Sequence, residues 1–224
     1  MNRTQATPGA LPASDAVSIY DRFTGLYDLM FRVNGYGRSL ERYLRERPLP
    51  LAEGARVLDA GCGTGLLTLA LLRVLDKPVS LTAVDLSHSS LLTARRAISG
   101  APRRTRTSVY LAQANVLALP FPDESFDCVV TSGVLEYVPL REGFRELARV
   151  VVPGGYLLHL PVRPSPASKL LELLFDFKTR PPSEVDAHTA THFQVIDRHH
   201  FSPLEPIGWT KLAILSRKKV IGDG

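Results

Sequence analysis

The sequence predicts one α/β domain with a mostly parallel sheet of seven strands and helices on both faces. Strand-like and helix-like segments alternate along the chain, and this alternation is typical of parallel sheets. With 224 residues, 45% of them hydrophobic, the chain is long enough to bury one large core. A glycine-rich turn after the first strand indicates where a ligand would meet the backbone.

The first predicted strand ends in a loop with almost no side chains, Asp59-Ala60-Gly61-Cys62-Gly63-Thr64-Gly65. Its three glycines permit positive φ and remove the Cβ atoms that would hold a ligand away. An apolar helix begins at Leu66, so its N-terminus faces the same point. Asp59 adds a carboxylate, which would repel a pyrophosphate but not a cationic ligand. The loop therefore favours a cofactor without phosphates.

The glycine spacing differs from that of the dinucleotide-binding fingerprint. That fingerprint, counted from Gly61, requires a glycine at position 66, where this chain has Leu66. The mismatch argues against a nicotinamide-dependent reductase.

The second predicted strand, 79–85, ends in Asp85. A carboxylate here can accept two hydrogen bonds from the vicinal hydroxyls of a ribose, and charge assistance makes such bonds discriminating. The alternative role, a helix N-cap, is better served by Ser87. Asp85 is therefore the candidate ribose ligand.

These segments resemble motif I and its sequel in the class I S-adenosylmethionine-dependent methyltransferases, especially the type 11 branch with the C-methyltransferases of ubiquinone and menaquinone biosynthesis. The resemblance covers about residues 17–161 and implies a Rossmann-like fold with S-adenosyl-L-methionine as cofactor. It implies that the acidic residue and the glycine loop surround the methionine part of the cofactor. The cofactor-binding residues that it implies are Tyr20, Asp59, Ala60, Gly61, Cys62, Gly63, Gly65, Asp85, Leu86, Ala114, Asn115, Val116, Ser132 and Gly133.

Three further strands follow in the order that the family requires. They are predicted at 109–112, at 125–132 and, after a helix and a proline-glycine turn, within 150–160. The turn after the third strand borders adenine in relatives, many of which carry Asp in place of Asn115. The amide oxygen of Asn115 can still accept from the adenine amino group, so charge assistance is lost while the contact is kept.

The N-terminal region is expected to contain a tail and a lid. Residues 1–16 are rich in Pro, Ala, Ser and Thr and are expected to be disordered. Residues 17–50 are expected to form a helical lid, with a helix through about Arg47, ahead of the cofactor-binding domain at 51–224. The aromatic segment 19–31 looks like one that covers the cofactor in the quinone-biosynthesis branch, where Tyr20 or Tyr27 would close over its methionine end. The alternative is ordinary helices packed on the sheet.

The C-terminal part is expected to supply substrate walls. It contains a predicted amphipathic helix at 168–177 and two final strands at 192–197 and 209–215. Four histidines, His188, His192, His199 and His200, raise the question of a metal site. The helical H-E-x-x-H pattern and nearby cysteine ligands are missing, so no metal is predicted.

Methyl transfer from a sulfonium donor asks the protein mainly to position its reactants, because the leaving group is already activated. A general base helps if the acceptor is a hydroxyl or an activated carbon. His159, at the end of the fifth strand, and His192 are the candidates for this base. Glu136 and Tyr137 occupy a turn that borders the transferred methyl in relatives, many of which have His at the place of Tyr137.

Composition limits the partners. The formal net charge of +5 would suit an acidic partner, but the arginines at 141, 145 and 149 alternate with glutamates on one helix and are interpreted as solvated surface. Without a recognisable nucleic-acid motif, nucleic acid is not the expected partner. The two cysteines indicate a reducing compartment, and with no signal or spanning segment the expected location is the cytoplasm. A lipid acceptor would add peripheral membrane contact. The oligomeric state is not predicted.

The sequence thus predicts a methyltransferase acting on a small, partly apolar acceptor through an O, C or N nucleophile. The alternatives are a cofactor-binding scaffold without catalysis, an RNA methyltransferase and a nicotinamide-dependent reductase. The intact Asp59, glycine loop and Asp85 argue against the scaffold. The sequence names neither the acceptor nor its reacting atom.

Overall fold

Seven strands form one mixed sheet in the order β3-β2-β1-β4-β5-β7-β6. The computed structural model describes residues 35–175 and 178–220. β7 runs antiparallel to β5 and β6, and the other neighbouring pairs are parallel. The predicted α/β class and mostly parallel seven-stranded sheet are confirmed. The strands are β1 (Arg56–Ala60), β2 (Ser80–Asp85), β3 (Ser108–Gln113), β4 (Phe126–Ser132), β5 (Val151–Leu160), β6 (Phe193–His200) and β7 (Leu212–Lys218).

Six α-helices lie in the described residues. They are α1 (Tyr36–Glu46), α2 (Leu66–Val74), α3 (His88–Ser99), α4 (Leu140–Val150), α5 (Pro166–Phe175) and α6 (Pro182–His192). A 3₁₀ turn, Pro206–Trp209, precedes β7. None of these helices is long and apolar enough to cross a membrane.

Alternate residues of the central strands bury their side chains on opposite faces of the sheet. Val57 and Val130 pack in the cluster that contains the apolar residues of α1 and α2, whereas Leu58 and Val129 pack in the cluster that contains those of α4. Both faces are covered, which explains why these strands read as continuous apolar runs and not as alternating ones.

The chain reverses its direction of travel across the sheet between β1 and β4. β1 pairs with β2 on one side and with β4 on the other, and all three strands are parallel. The loops that follow β1 and β4 therefore lead from neighbouring strand ends to opposite sides of the sheet, which places the crevice typical of such folds at this carboxyl edge. In open α/β sheets this is where ligands bind.

The structure differs from the sequence prediction in two places. β5 begins directly at Val151, so Pro153 and Gly154 lie within the strand and not in a turn. Gly154 has φ +73°, and the register between β4 and β5 shifts at this point, so a bulge accommodates both residues. Helix α6 was not predicted, because the segment 182–192 buries only Val185 and Thr189 and has little apolar periodicity.

Candidate functional site

The loop after β1 adopts the conformation that its glycines allow. Gly61, Gly63 and Gly65 have φ values of +74°, +52° and +87°. The backbone nitrogens of Gly61 and Cys62 both donate to the carbonyl oxygen of Val84, at 2.8 and 2.9 Å. The loop is thereby fastened to the end of β2, beside Asp85.

Two of the glycines are also required by packing within the protein. A Cβ atom on Gly61 would lie 2.6 Å from Cβ of Val134, in the turn after β4. A Cβ on Gly65 would lie 3.2 Å from Cβ of Ala94, on α3. The first contact brings the loop against the turn after β4, and the second brings α2 against α3. A side chain at either position would therefore disturb the fold as well as any ligand.

Asp85 lies at the carboxyl end of β2, next to the glycine loop that follows β1. Its Oδ2 accepts a hydrogen bond from the nitrogen of Gly63 at 2.7 Å, and its Oδ1 accepts one from the nitrogen of Ser87 at 2.9 Å. A carboxylate offers about four acceptor positions. Ser87 accepts from the nitrogen of Ser90 at 3.1 Å and is the N-cap of α3, as predicted. Asp85 is thus placed where a ribose diol could reach it.

Asp59 is a buried carboxyl group with one unmatched oxygen. Its Oδ2 accepts from the hydroxyl of Thr68 at 2.5 Å, whereas its Oδ1 is buried without a hydrogen-bond partner. Burial raises the pKa of Asp59 to about 7, against the lowering effect of Thr68, and the nearby charge of Asp85 adds to the rise. A cationic group beside it would favour the ionised form. The site therefore fits a cofactor that carries positive charge.

The ends of β2 and β3 are joined where the adenine is expected. The nitrogen of Ala114 donates to the carbonyl of Asp85 at 3.0 Å, and the side chain of Gln113 donates to the carbonyl of Leu86 at 2.8 Å. The Oδ1 of Asn115, expected to accept from adenine, already accepts from the nitrogen of Leu117 at 2.9 Å. An adenine contact would have to use its second lone pair.

The turn after β4 completes the crevice opposite the glycine loop. The hydroxyl of Ser132 is hydrogen-bonded to the hydroxyl of Tyr36, on α1, at 3.2 Å. The expected cofactor residues from Asp59 to Gly133 thus lie along one edge. Tyr20 and Tyr27 lie outside the described residues, as does segment 17–34 of the expected lid; α1 belongs to the remaining part.

The three catalytic candidates occupy different environments. His159 is buried against the ring of Phe144, with a centroid distance of 5.5 Å, and burial lowers its pKa to about 4, so its imidazole is neutral near pH 7. Tyr137 is 42% exposed, in the turn after β4. His192 lies at the opposite edge of the sheet. It directly precedes Phe193, and Phe193 pairs with Lys218 at the end of β7 that is away from the carboxyl edge.

Two buried charges near the crevice were not among the predicted site residues. Glu136 is 5% exposed and Lys211 is 2% exposed. The sequence does contain one indication that Lys211 is unusual, because it is the single charged residue in the largely apolar segment 209–215. Glu136 was placed with Tyr137 in the turn that borders the transferred methyl in relatives, but no role was predicted for it.

Arg149 is an exception to the interpretation of the basic helix as mostly solvated surface, whereas Arg141 and Arg145 are exposed. Its guanidinium donates to the carbonyls of Leu119 and Phe121 at 3.0 and 2.8 Å and contacts the carboxylates of Glu146 and Asp123. Arg149 therefore fastens the loop between β3 and β4 to α4.

Both cysteines, Cys62 and Cys128, are buried free thiols, and burial raises the pKa of each. In the described ranges, the histidines, cysteines and acids form no group of three that could hold a metal ion. His199 instead packs against the rings of Tyr43 and Phe201, with centroid distances of 5.0 and 4.9 Å.

The motifs along this edge are shared with known proteins. The model of the methyltransferase domain family matches residues 58–159, which run from β1 through β5. A ubiquinone/menaquinone biosynthesis C-methyltransferase of Pseudomonas paraeruginosa is 31% identical over 180 residues, which cover 77% of this chain and 67% of that protein. The chain belongs to the class I S-adenosylmethionine-dependent methyltransferase family. The predicted family is confirmed.

Other relatives show how far the similarity extends. A ubiquinone/menaquinone biosynthesis C-methyltransferase of Geobacter sulfurreducens is 31% identical over 166 residues, covering 71% of this chain and 63% of that protein. The chain thus spans a little under two thirds of this relative. Geranyl diphosphate C-methyltransferase from Streptomyces coelicolor, solved with S-adenosyl-L-homocysteine, has the same fold, with a TM-score of 0.65 at 18% identity over 81% of this chain and 79% of that one.

Proposed function

We propose that this protein is an S-adenosylmethionine-dependent methyltransferase that acts on a small, partly apolar acceptor. The observation that carries the proposal is the pairing of Asp85 with the glycine loop beside the buried, half-satisfied carboxyl of Asp59. This arrangement offers an acceptor for a ribose diol and a counter-charge for a cationic ligand within one crevice. The cofactor, when bound, supplies an activated methyl group on a sulfonium centre.

The protein's own residues hold and orient the cofactor in this proposal. Asp85 accepts from the ribose, and the turn at Ala114 and Asn115 borders the adenine. Asp59 and the loop from Gly61 to Gly65 surround the methionine part. Ser132 and Gly133, across the crevice, border the reacting end. Such positioning in a site without bulk water supplies much of the rate gain for an in-line transfer.

The relatives support an apolar acceptor. The named activities of the similar proteins are C-methylation in ubiquinone and menaquinone biosynthesis and C-methylation of geranyl diphosphate. In this chain the loop between β6 and β7 exposes two large apolar side chains at the carboxyl edge, with Leu204 91% exposed and Trp209 52% exposed. These side chains offer an apolar approach to the site.

Calorimetry with S-adenosylmethionine, S-adenosylhomocysteine and NAD tests the cofactor. We expect micromolar binding of the first two and none of NAD, because the third dinucleotide glycine is replaced by Leu66. Tighter binding of NAD than of S-adenosylmethionine would overturn the proposal.

Turnover with a panel of acceptors distinguishes an enzyme from a cofactor-binding scaffold. The panel contains reduced 1,4-naphthoquinone as a menaquinol-like acceptor, geranyl diphosphate and a short structured RNA. We expect methyl transfer to at least one of the small acceptors. Transfer to the RNA alone, or cofactor binding without transfer to any member, would favour the alternatives.

A further inference from the structure

Glu136 and Lys211 are two opposite charges buried beside Gly133, at the edge where the methyl group is expected. The burial of a charge is costly unless it is paired and hydrogen-bonded. Both lie beside Gly133 in or against the turn after β4, and neither is among the residues expected to hold the cofactor. Their position calls for another role.

The strand end 160–162 holds both side chains. Oε1 of Glu136 accepts a hydrogen bond from the nitrogen of Val162 at 2.5 Å. Val162 is the cross-strand partner of Lys211, whose Nζ donates to the carbonyl of Leu160 at 3.2 Å. A Cβ atom on Gly133 would lie 2.8 Å from this Nζ, so the missing side chain at 133 leaves room for the ammonium. The two charges are thus fixed on neighbouring segments.

Neither charge is fully satisfied by the protein. Oε2 of Glu136 is buried without a hydrogen-bond partner. Lys211 can donate three hydrogen bonds and is seen donating to Leu160. Within the described ranges the two groups do not approach within the 4.0 Å of an ion pair. If the two charges served only to stabilise the fold, we would expect them to contact each other and to use these free hydrogen-bonding positions.

Other titratable groups lie around this pair. Burial lowers the pKa of Lys211, and Glu136 opposes the effect. Glu136 also acts on Tyr36, where burial raises the pKa to about 12, and on His159, whose imidazole is neutral. Of these groups, Glu136 offers a carboxyl oxygen and Lys211 an amino nitrogen whose hydrogen-bonding capacity the protein leaves unused.

We propose that Glu136 and Lys211 bind an acidic hydroxyl of the methyl acceptor between them. The O–H bond breaks with its electron pair left on oxygen, the proton passes to Oε2 of Glu136, and the ammonium of Lys211 holds the resulting oxyanion. This inference rests on the proposed function and deepens it, since it selects acceptors with an ionisable O–H and disfavours amines that bind as cations.

Binding of 4-nitrophenol tests the pair without requiring turnover, because its phenolate is coloured and its phenol is not. The full-length protein, saturated with S-adenosylhomocysteine, is titrated with 4-nitrophenol across pH, with 4-nitroanisole as the ligand that cannot ionise. We expect the apparent pKa of bound 4-nitrophenol to fall by about one unit, a tenfold change in ionisation. Binding no tighter than that of 4-nitroanisole, or an unshifted pKa, would overturn the inference.

Variants assign the effect to the two residues. We expect Lys211→Met to abolish the shift, Lys211→Arg to retain it, and Glu136→Gln to strengthen binding of the phenolate above its solution pKa. Lys218→Met is the matched control, because Lys218 lies at the other end of β7 and also donates to a backbone carbonyl, that of Val151. A shift that survives in Lys211→Met would overturn the inference.

Two further measurements keep the outcome interpretable. If Lys211→Met does not fold, it is replaced by the double variant Lys211→Met with Glu136→Gln. The double variant buries neither charge and should also leave the pKa of 4-nitrophenol unshifted. Calorimetry with S-adenosylhomocysteine is run on every variant. If the unsubstituted protein does not bind S-adenosylhomocysteine, the result counts against the proposed function. If it binds S-adenosylhomocysteine but does not shift the pKa of 4-nitrophenol, the result counts against this inference alone.

Discussion

Oδ2 of Asp85 accepts a 2.7 Å hydrogen bond from the backbone nitrogen of Gly63. The candidate ribose ligand therefore also fastens the glycine loop, while its Oδ1 accepts from Ser87 at the start of α3. One carboxylate thus holds the glycine loop in place, contacts the N-cap residue of α3 and is expected to bind the cofactor.

Asp85→Ala should abolish useful cofactor affinity. It removes the acceptor for the ribose and releases the nitrogen of Gly63, and hydrogen bonds to a charged group are worth about 1.5–3 kcal/mol each. Calorimetry with S-adenosylhomocysteine should show a loss of at least about 100-fold. Asp127→Asn, on the opposite edge of the sheet, is the control and should bind normally. Wild-type affinity in Asp85→Ala would refute the ribose assignment.

Cofactor binding should depend on pH through Asp59. Its pKa is about 7, and a cationic ligand favours the ionised form, so the affinity for S-adenosylmethionine should rise as the pH increases to about 7.5 and then level off. Calorimetry between pH 6 and 8 measures this effect. Asp59→Asn should bind more weakly, with a flat profile. A flat profile in the wild type would contradict the prediction.

The same group should affect the stability of the free protein in the opposite sense. The pKa of Asp59 is raised from 3.8 to about 7 in the folded state, so the folded chain binds a proton that the unfolded chain has released. This contribution is present at low pH and is lost as the pH rises through about 7. Relative to Asp59→Asn, the wild-type Tm should therefore fall between about pH 5 and pH 7.5. A constant difference in Tm would show that Asp59 does not titrate in this range.

Gly65→Ala should destabilise the fold. Gly65 has φ +87°, and a Cβ would lie 3.2 Å from Cβ of Ala94, so the substitution combines backbone strain with crowding between α2 and α3. Strain of this kind costs about 1–3 kcal/mol. Gly100→Ala is the matched control, because its added Cβ meets nothing within 4 Å and its φ is −94°. Urea unfolding of the two variants should differ by at least about 1 kcal/mol.

Arg149→Met should destabilise the protein although the residue lies on an amphipathic surface helix. The change removes the guanidinium that donates to the carbonyls of Leu119 and Phe121 and pairs with the carboxylate of Glu146, at a cost of about 1–3 kcal/mol. Arg141→Met, on the same helix and exposed, should stay within about 0.5 kcal/mol of the wild type. Equal unfolding midpoints for the two variants would contradict the role assigned to Arg149.

The sequence predicted β1, β2 and β4 well, because each of these strands contains a short run of apolar residues that the sheet buries. Asp85 ends β2 and Ser132 ends β4, as the sequence indicated. This also predicted where the cofactor residues lie, because the loops that follow parallel strands all lie at the same edge of the sheet. Helix α6 could not be read in the same way, because only two of its residues face the core.

The buried pair was beyond the reach of sequence patterns for a different reason. Lys211 and Glu136 lie far apart in the chain and are both hydrogen-bonded to segment 160–162 only because β7 runs antiparallel and begins beside the end of β5. The strand pairing at this side of the sheet also decides where His192 lies, but it takes that residue away from the site. His192 was expected at the start of a strand in the part of the chain that supplies substrate walls, but the pairing of Phe193 with Lys218 places it at the other edge.

The antiparallel direction of β7 also has an evolutionary consequence. Because β6 ends and β7 begins at the carboxyl edge, the connection 201–211 lies at the active edge while its ends are anchored in the sheet by His200 and Leu212. The segment that carries Lys211, Leu204 and Trp209 is thus separate in the chain from every residue expected to hold the cofactor. If this loop lines the acceptor site as proposed, its exchange or lengthening alters acceptor choice without any change in the sequence of the glycine loop or of the strand ends that carry Asp85 and Asn115.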